Sequence, residues 1–170
     1  MKIAVERWSD EREVPQITAL LHAAYAGLAA DGFQYVATHQ DDEVTRKRLL
    51  RGESFVAREC AGGRIVGTVN LCPPGSNDHA PWYGQEGVAM FGQFGVLPEL
   101  QGNGIGSMML AAIESRAQEL AATELACDTA EGATRLIEMY QRRGFRFIEF
   151  ADWDCTNYRS VILSKRLGSV

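Results

Sequence analysis

Hydrophobic and polar positions change period several times along the chain. Ile3 to Trp8 alternates, with Ile3, Val5 and Arg7 on one side and Ala4, Glu6 and Trp8 on the other, which predicts a short strand. Behind a Ser9 or Asp10 cap, Val14, Ile17, Leu20, Leu21, Ala24 and Tyr25 recur at helical spacing, and Asp31-Gly32 ends that helix. A more polar helix is expected from Asp41 to Leu50, closed by Gly52. Extended structure follows. Ser54 to Cys60 and Arg64 to Leu71 flank Ala61-Gly62-Gly63, a hairpin signal. Pro73-Pro74-Gly75 breaks the pattern, and residues 73–87 read as a long loop. A strand from Val88 to Val96 stops at Pro98. The strongest amphipathic helix then runs from Gly104 to Leu120, striped by Ile105, Met108, Met109, Ala112, Ile113, Arg116 and Leu120. Leu125 to Asp128 is a short buried strand, and Ala133, Leu136, Ile137 and Tyr140 stripe a last helix ended by Gly144. Phe145 to Trp153 and Arg159 to Leu167 close the chain as two antiparallel strands.

The order is strand, two helices, three strands, helix, strand, helix, two strands. It predicts an α/β protein of the α+β type: a mixed, mostly antiparallel central sheet of about seven strands flanked by about four helices. The sheet should be parallel only where the helix after Gly104 makes a crossover. A chain of 170 residues is read as one domain, residues 1–170, with a core that needs no staples. The net charge of −5 is spread over both halves, with no basic tail, which excludes a nucleic-acid backbone binder. The longest mainly apolar stretch, Ala19 to Ala30, is too short to span a bilayer, so no membrane partner is expected. Residues Met1 to Arg7 lack the apolar run of a signal peptide, pointing to a cytoplasmic protein. Cys60, Cys72, Cys127 and Cys155 have neither zinc-site spacing nor a disulfide context; they are expected to be reduced and mostly buried, with no metal.

The candidate chemistry lies in Gln101-Gly102-Asn103-Gly104-Ile105-Gly106-Ser107, between a strand with a proline stop and a strong helix. Glycines let the backbone curl so that successive N–H groups point into one concavity. The helix beginning there adds unpaired N–H groups and the positive end of its dipole. The result is a cradle for a phosphate or pyrophosphate. No lysine follows Gly106, so it is not an NTPase loop. The third glycine of a dinucleotide fingerprint is replaced by Ser107.

Val96-Leu97-Pro98 followed by Gln101-Gly102-Asn103-Gly104-Ile105-Gly106 resembles the signature of the GNAT superfamily of acyl-CoA-dependent N-acyltransferases. Tyr140-Gln141-Arg142-Arg143-Gly144-Phe145 resembles that family's downstream Tyr-x-x-x-Gly-Phe, and the element order is also similar, so the likeness covers nearly the whole chain. The resemblance implies an N-acetyltransferase that moves an acetyl group from acetyl-CoA to a primary amine of a small molecule or peptide, by direct attack in a ternary complex. It implies that Phe94, Gly95 and Val96 hold the pantetheine arm, with a bulge at Gly95, and that Gln101 to Ser107 hold the pyrophosphate. Tyr140 matches the family's proton donor to the departing thiolate; a packed core tyrosine is the other reading of its place on the apolar stripe. The competing function is a non-catalytic acyl-CoA-binding or regulatory module of the same fold.

Two positions depart from the family pattern. Ala133 stands where many members have Asn, and Met90 where some have a basic Glu. The general base is therefore open among Glu86, His79, Asp128 and water. Phe33, Gln34, Tyr35 and His39, together with Trp82, Tyr83 and His79 of the long loop, are expected to wall the acceptor pocket. The same loop could serve a homodimer contact.

Overall fold

The structure, a computed structural model, describes residues 1–168. Its strands are β1 (Ile3–Arg7), β2 (Glu53–Glu59), β3 (Ile65–Cys72), β4 (Val88–Val96), β5 (Glu124–Ala130), β6 (Arg146–Asp152) and β7 (Arg159–Arg166). Its α-helices are α1 (Val14–Ala30), α2 (Asp42–Leu50), α3 (Ile105–Glu119) and α4 (Thr134–Arg142). One seven-stranded sheet runs in the order β1-β2-β3-β4-β5-β7-β6. The pair β4–β5 is parallel and every other neighbouring pair is antiparallel, with α3 as the crossover.

Local chemistry starts the helices where the periodicity places them. Asp10 accepts the Arg12 N–H at 3.0 Å and opens a single 3-10 turn ahead of α1. Pro15 sits at the start of α1, where its missing N–H costs no helix bond. Asp41 caps α2 by accepting the Val44 N–H at 2.8 Å. The helices then cover both faces of the sheet. Close approach to α1 is visible at Gly95, where an added Cβ would lie 3.0 Å from the Ala24 Cβ. On the opposite face, a Cβ at Gly67 would lie 2.7 Å from the Met109 sulfur of α3. Ile17, Leu21, Val69, Phe91, Met109, Ile113 and Leu163 are among the side chains that fill the main core.

Three details differ from expectation. β5 extends to Ala130 because β7 pairs with it along its whole length, from Glu124↔Arg166 to Ala130↔Ser160. Only Cys72 and Cys127 are buried; Cys60 and Cys155 are exposed because they lie in turns, next to the β2–β3 hairpin loop and between β6 and β7. Gly52 does not close α2 in the left-handed conformation of a helix-ending glycine, since Arg51 is the cap and Gly52 has no positive φ. A Cβ at Gly52 would instead collide with the Leu71 carbonyl of β3.

Gly52→Ala should therefore force β2 and β3 apart at their end. Overpacking of this kind costs about 1–3 kcal/mol, or roughly 2–12 °C of Tm for a chain of this length. Thermal unfolding followed by circular dichroism checks it; an unchanged Tm would mean the junction yields freely.

Candidate active site

The sheet parts at its parallel pair. β4 and β5 are in register at Val88↔Glu124, Ala89↔Leu125 and Met90↔Ala126. Beyond these, β4 continues to Val96 and β5 to Ala130 without pairing, while β5 stays bound to β7. The edge of β4 from Phe91 onward thus has no strand beside it on that side. Its pairing with β3 is also irregular: Asn70 faces Gly92 and Thr68 faces Gly95, leaving two residues of β4 opposite Val69. The extra residue is absorbed at Gln93, whose φ is +47°. The bulge is therefore at Gln93 and Phe94 rather than at Gly95, which is glycine because α1 packs against it. The Phe94 carbonyl accepts the Tyr25 hydroxyl at 2.9 Å.

The glycine turn lies at the mouth of this opening. Gly102 and Gly104 have φ of +79° and +81°, angles that favour glycine. Gly106 has a different reason: a Cβ there would come within 3.3 Å of the Phe94 ring, so its smallness lets α3 approach β4. Two polar side chains of the turn brace it from within. Gln101 Nε2 donates to the Val96 carbonyl at 3.0 Å, and Asn103 Nδ2 to the Leu100 carbonyl at 3.1 Å. Ile105 is buried and anchors the helix. Gly104 is the N-cap and has no side chain, so the first N–H groups of α3 have no side-chain cap. Ser107 Oγ accepts from Arg143 Nη2 at 3.1 Å. Among the described residues Arg143 has no carboxylate partner, so its charge at Ser107 adds to that of the helix end. Arg143, just ahead of Gly144, is a site residue that no motif marked.

Tyr140 is 5% exposed, packed against Phe91 and Phe145 at ring separations of 6.0 and 5.4 Å. Burial pushes its pKa well up, which keeps the phenol protonated. Among the described residues its hydroxyl has no hydrogen-bond partner. Ala133 is the N-cap of α4 and gives it no side-chain bond. Met90 ends the parallel register.

Of the candidate bases, Glu86 and His79 are exposed on the long loop. Asp128 lies on β5 just past the last β4–β5 pair. It accepts the Tyr83 hydroxyl at 2.6 Å and the Trp153 Nε1–H at 3.1 Å. Burial raises its pKa, against the lowering effect of those two bonds and of the nearby Arg48 charge.

The expected acceptor walls divide. Tyr35 is buried, and its hydroxyl shares a hydrogen bond with Thr129 at 2.7 Å and accepts the Ala130 N–H at 3.1 Å, clasping the α1–α2 connection to β5. Phe33 packs against Tyr35 and Tyr158, Gln34 takes part through its backbone N–H to Asn157, and His39 is exposed. Tyr83 is buried on Asp128 and stacks on Trp153, while Trp82 packs under Arg146 with its backbone N–H on Glu149. The long loop is thus tied to the sheet by its aromatic residues, and its contribution to the open cleft comes from Asn77. That cleft lies on the α2 side of β4, lined also by Arg48, Arg51, Met90, Gly92 and Gln93. Arg48, Gln40 and Gln93 escaped the sequence reading because a polar residue on an amphipathic helix or within a strand carries no mark of what it faces.

The sheet order and the position of the turn between β4 and α3 are the layout that the sequence resemblance implied, that of an N-acyltransferase. Residues 16–145 match the acetyltransferase (GNAT) family, and the chain belongs to that family. As such it is an acetyltransferase enzyme. It is similar to S-(2-succino)cysteine N-acetyltransferase of Bacillus subtilis (strain 168), with 29% identity over 141 residues, 82% of each chain. The fold is similar to that of the ribosomal-protein-alanine N-acetyltransferase from Brucella melitensis, with a TM-score of 0.71 and 20% identity over 96% of this chain and 99% of that one. It is likewise similar to a GNAT family acetyltransferase from Elizabethkingia anophelis with acetyl-CoA bound, with a TM-score of 0.66 and 18% identity over 97% of this chain and 98% of the other. No helix among the described residues is long and apolar enough to cross a membrane.

The raised pKa of Asp128 fixes the sign of a pH effect. The folded protein holds a proton there that the unfolded chain has already released, so this group's contribution to stability falls as pH rises from the ordinary carboxylate value through the folded one. Carboxyl-carbon NMR titration should find the Asp128 midpoint above that ordinary value; a midpoint at or below it would mean the two hydrogen bonds outweigh burial.

Proposed function

We propose that the protein transfers an acetyl group from acetyl-CoA to the amine of a small molecule. The observation that carries this reading is the separation of β4 from β5 directly beside the glycine turn: a groove with a free strand edge on one side and an anion cradle at its mouth. The residues present suit acetyl-CoA. Backbone N–H groups of the turn, Gln101 through Ser107, would hold the pyrophosphate, and Arg143, bonded to Ser107, would stand beside it. The open edge of β4 at Phe94, Gly95 and Val96 would hold the pantetheine arm by strand-like hydrogen bonds. When bound, acetyl-CoA supplies the acetyl group as an activated thioester. No metal is invoked.

The chain's own groups then serve the proton movements. An amine attacks only when neutral, so a base must take its proton. Asp128 is the base we favour over Glu86 and His79, because its carboxylate is partly buried beside the parted strands and burial raises its pKa above the ordinary carboxylate value, which makes it a stronger proton acceptor. Tyr83 and Trp153 orient its two oxygens. Tyr140 holds a proton on its phenolic oxygen at working pH and would give it to the departing thiolate. The name of the Bacillus subtilis relative supports a small amino-acid derivative as acceptor.

Thiol release over a panel of amines, with calorimetric titration of acetyl-CoA, tests the assignment. Gly104→Val should weaken acetyl-CoA binding at least tenfold, about 1.4 kcal/mol, because valine resists the left-handed angle; unchanged affinity in a folded variant would sink the cradle. Tyr140→Phe keeps the aromatic packing and loses only the hydroxyl. Its kcat should fall on the order of 10²-fold with acetyl-CoA affinity intact. Full turnover with a lowered Tm would make Tyr140 a core residue instead.

A further inference from the structure

Arg48 projects from α2 toward Gly92 of the bulged strand, where an added Cβ would lie 3.9 Å from its Nη2. Its Nη1 donates to Gln40 Oε1 at 2.6 Å. That bond orients two amides in succession. An arginine can only donate, so Gln40 must turn its oxygen toward Arg48 and its nitrogen away. Gln40 Nε2 accordingly donates to Thr45 Oγ1 and to Gln93 Oε1, both at 2.7 Å. Gln93, its oxygen now engaged, is left with a buried Nε2 that has no acceptor. A buried donor without a partner is destabilising, and this one lies at the residue that carries the left-handed φ of β4.

Arg48 is equally undercompensated. Burial pushes its pKa down, and Gln40 is a neutral partner. Neither Arg48 nor Arg51 has a carboxylate partner among the described residues, although acidic side chains outnumber basic ones, 22 to 17. Both line the cleft with Asn70, Gly92 and Gln93. The glycine at position 92 puts no side chain against the guanidinium.

We infer that Arg48 and Gln93 form a subsite for a carboxylate of the acceptor, so that the substrates are amines bearing a carboxylate; the word acceptor rests on the acyl-transfer reading above. Arg48 and Gln93 line the same cleft, and a guanidinium with an amide N–H₂ beside it matches the two oxygens of a planar carboxylate, which would reach the buried amide by entering between them. Arg51, exposed nearby, adds attraction at longer range. Gln40 is a positioning residue that sets the direction in which the other two donate.

The test titrates succinate, L-aspartate and S-(2-succino)cysteine, and the trimethyl ester of the last, into ¹⁵N-labelled protein loaded with CoA, following arginine Nε–H resonances. The Arg48 signal is the one missing in Arg48→Met. At least one free acid should shift it saturably, and the ester should not. Arg48→Met, and independently the nearly isosteric Gln93→Glu, should raise the acid's Kd at least about tenfold, with CoA affinity by calorimetry unaltered. The second variant keeps the test alive if the first misfolds. No carboxylate-dependent shift with any of the acids, or equal binding of acid and ester, would overturn the subsite. Carboxylate binding without thiol release from any amine would support the subsite and overturn the acyl-transfer reading.

Discussion

One constraint organises the molecule: β5 is bound along its whole length to β7 but to β4 through only three residues. Two strands that start side by side and then part leave one strand edge unsatisfied, and a protein normally hides such an edge or lets something occupy it. Here the turn of the chain from β4 into α3 brings glycines and helix N–H groups to the same opening. The crossover that a parallel pair requires thus also delivers the glycine turn proposed to hold the pyrophosphate.

The opening is held by specific contacts rather than by an absence of them. On the α1 side, Tyr25 engages the Phe94 carbonyl, and Gln40 engages Gln93 at the bulge. The hydroxyl of Tyr35 spans to Thr129 and Ala130 of β5. Buried polar networks of this kind are worth keeping only when nearly every member is paired. Thr18, Thr45, Gln40, Gln93 and Arg48 form such a chain, open at the Gln93 amide N–H₂ and at the rest of the Arg48 guanidinium.

The sequence carried most of the architecture because helices here are strongly striped and turns are marked by glycine or proline. The three-residue β4–β5 register and the bulge were not legible. Gln93 has no β-branch, proline or glycine to betray a φ of +47°, and alternation fails there by a single step. That step is why Gly92 and Gly95, three apart, both face the α1–α2 layer, toward Arg48 and Ala24. The glycine turn was legible as a motif, yet its glycines have two different reasons: backbone angle at Gly102 and Gly104, helix–strand approach at Gly106. Trp82 and Tyr83 looked like loop aromatics free to meet a ligand. Their anchors, Glu149, Arg146, Asp128 and Trp153, come from β5, β6 and the turn after it, whose proximity no local pattern reveals.

The narrow β4–β5 register also divides the hydrogen-bond ladder of the sheet into two units, β1–β4 and β5–β7, joined by a seam of three pairs and by the shared core beneath it. Fewer ladder bonds cross that seam than hold either unit. Any ligand lodged between β4 and β5 touches both units and acts as a staple across the seam. By mass action, occupancy then stabilises the whole chain and suppresses breathing at its centre. Filling the groove and holding the fold together become one event.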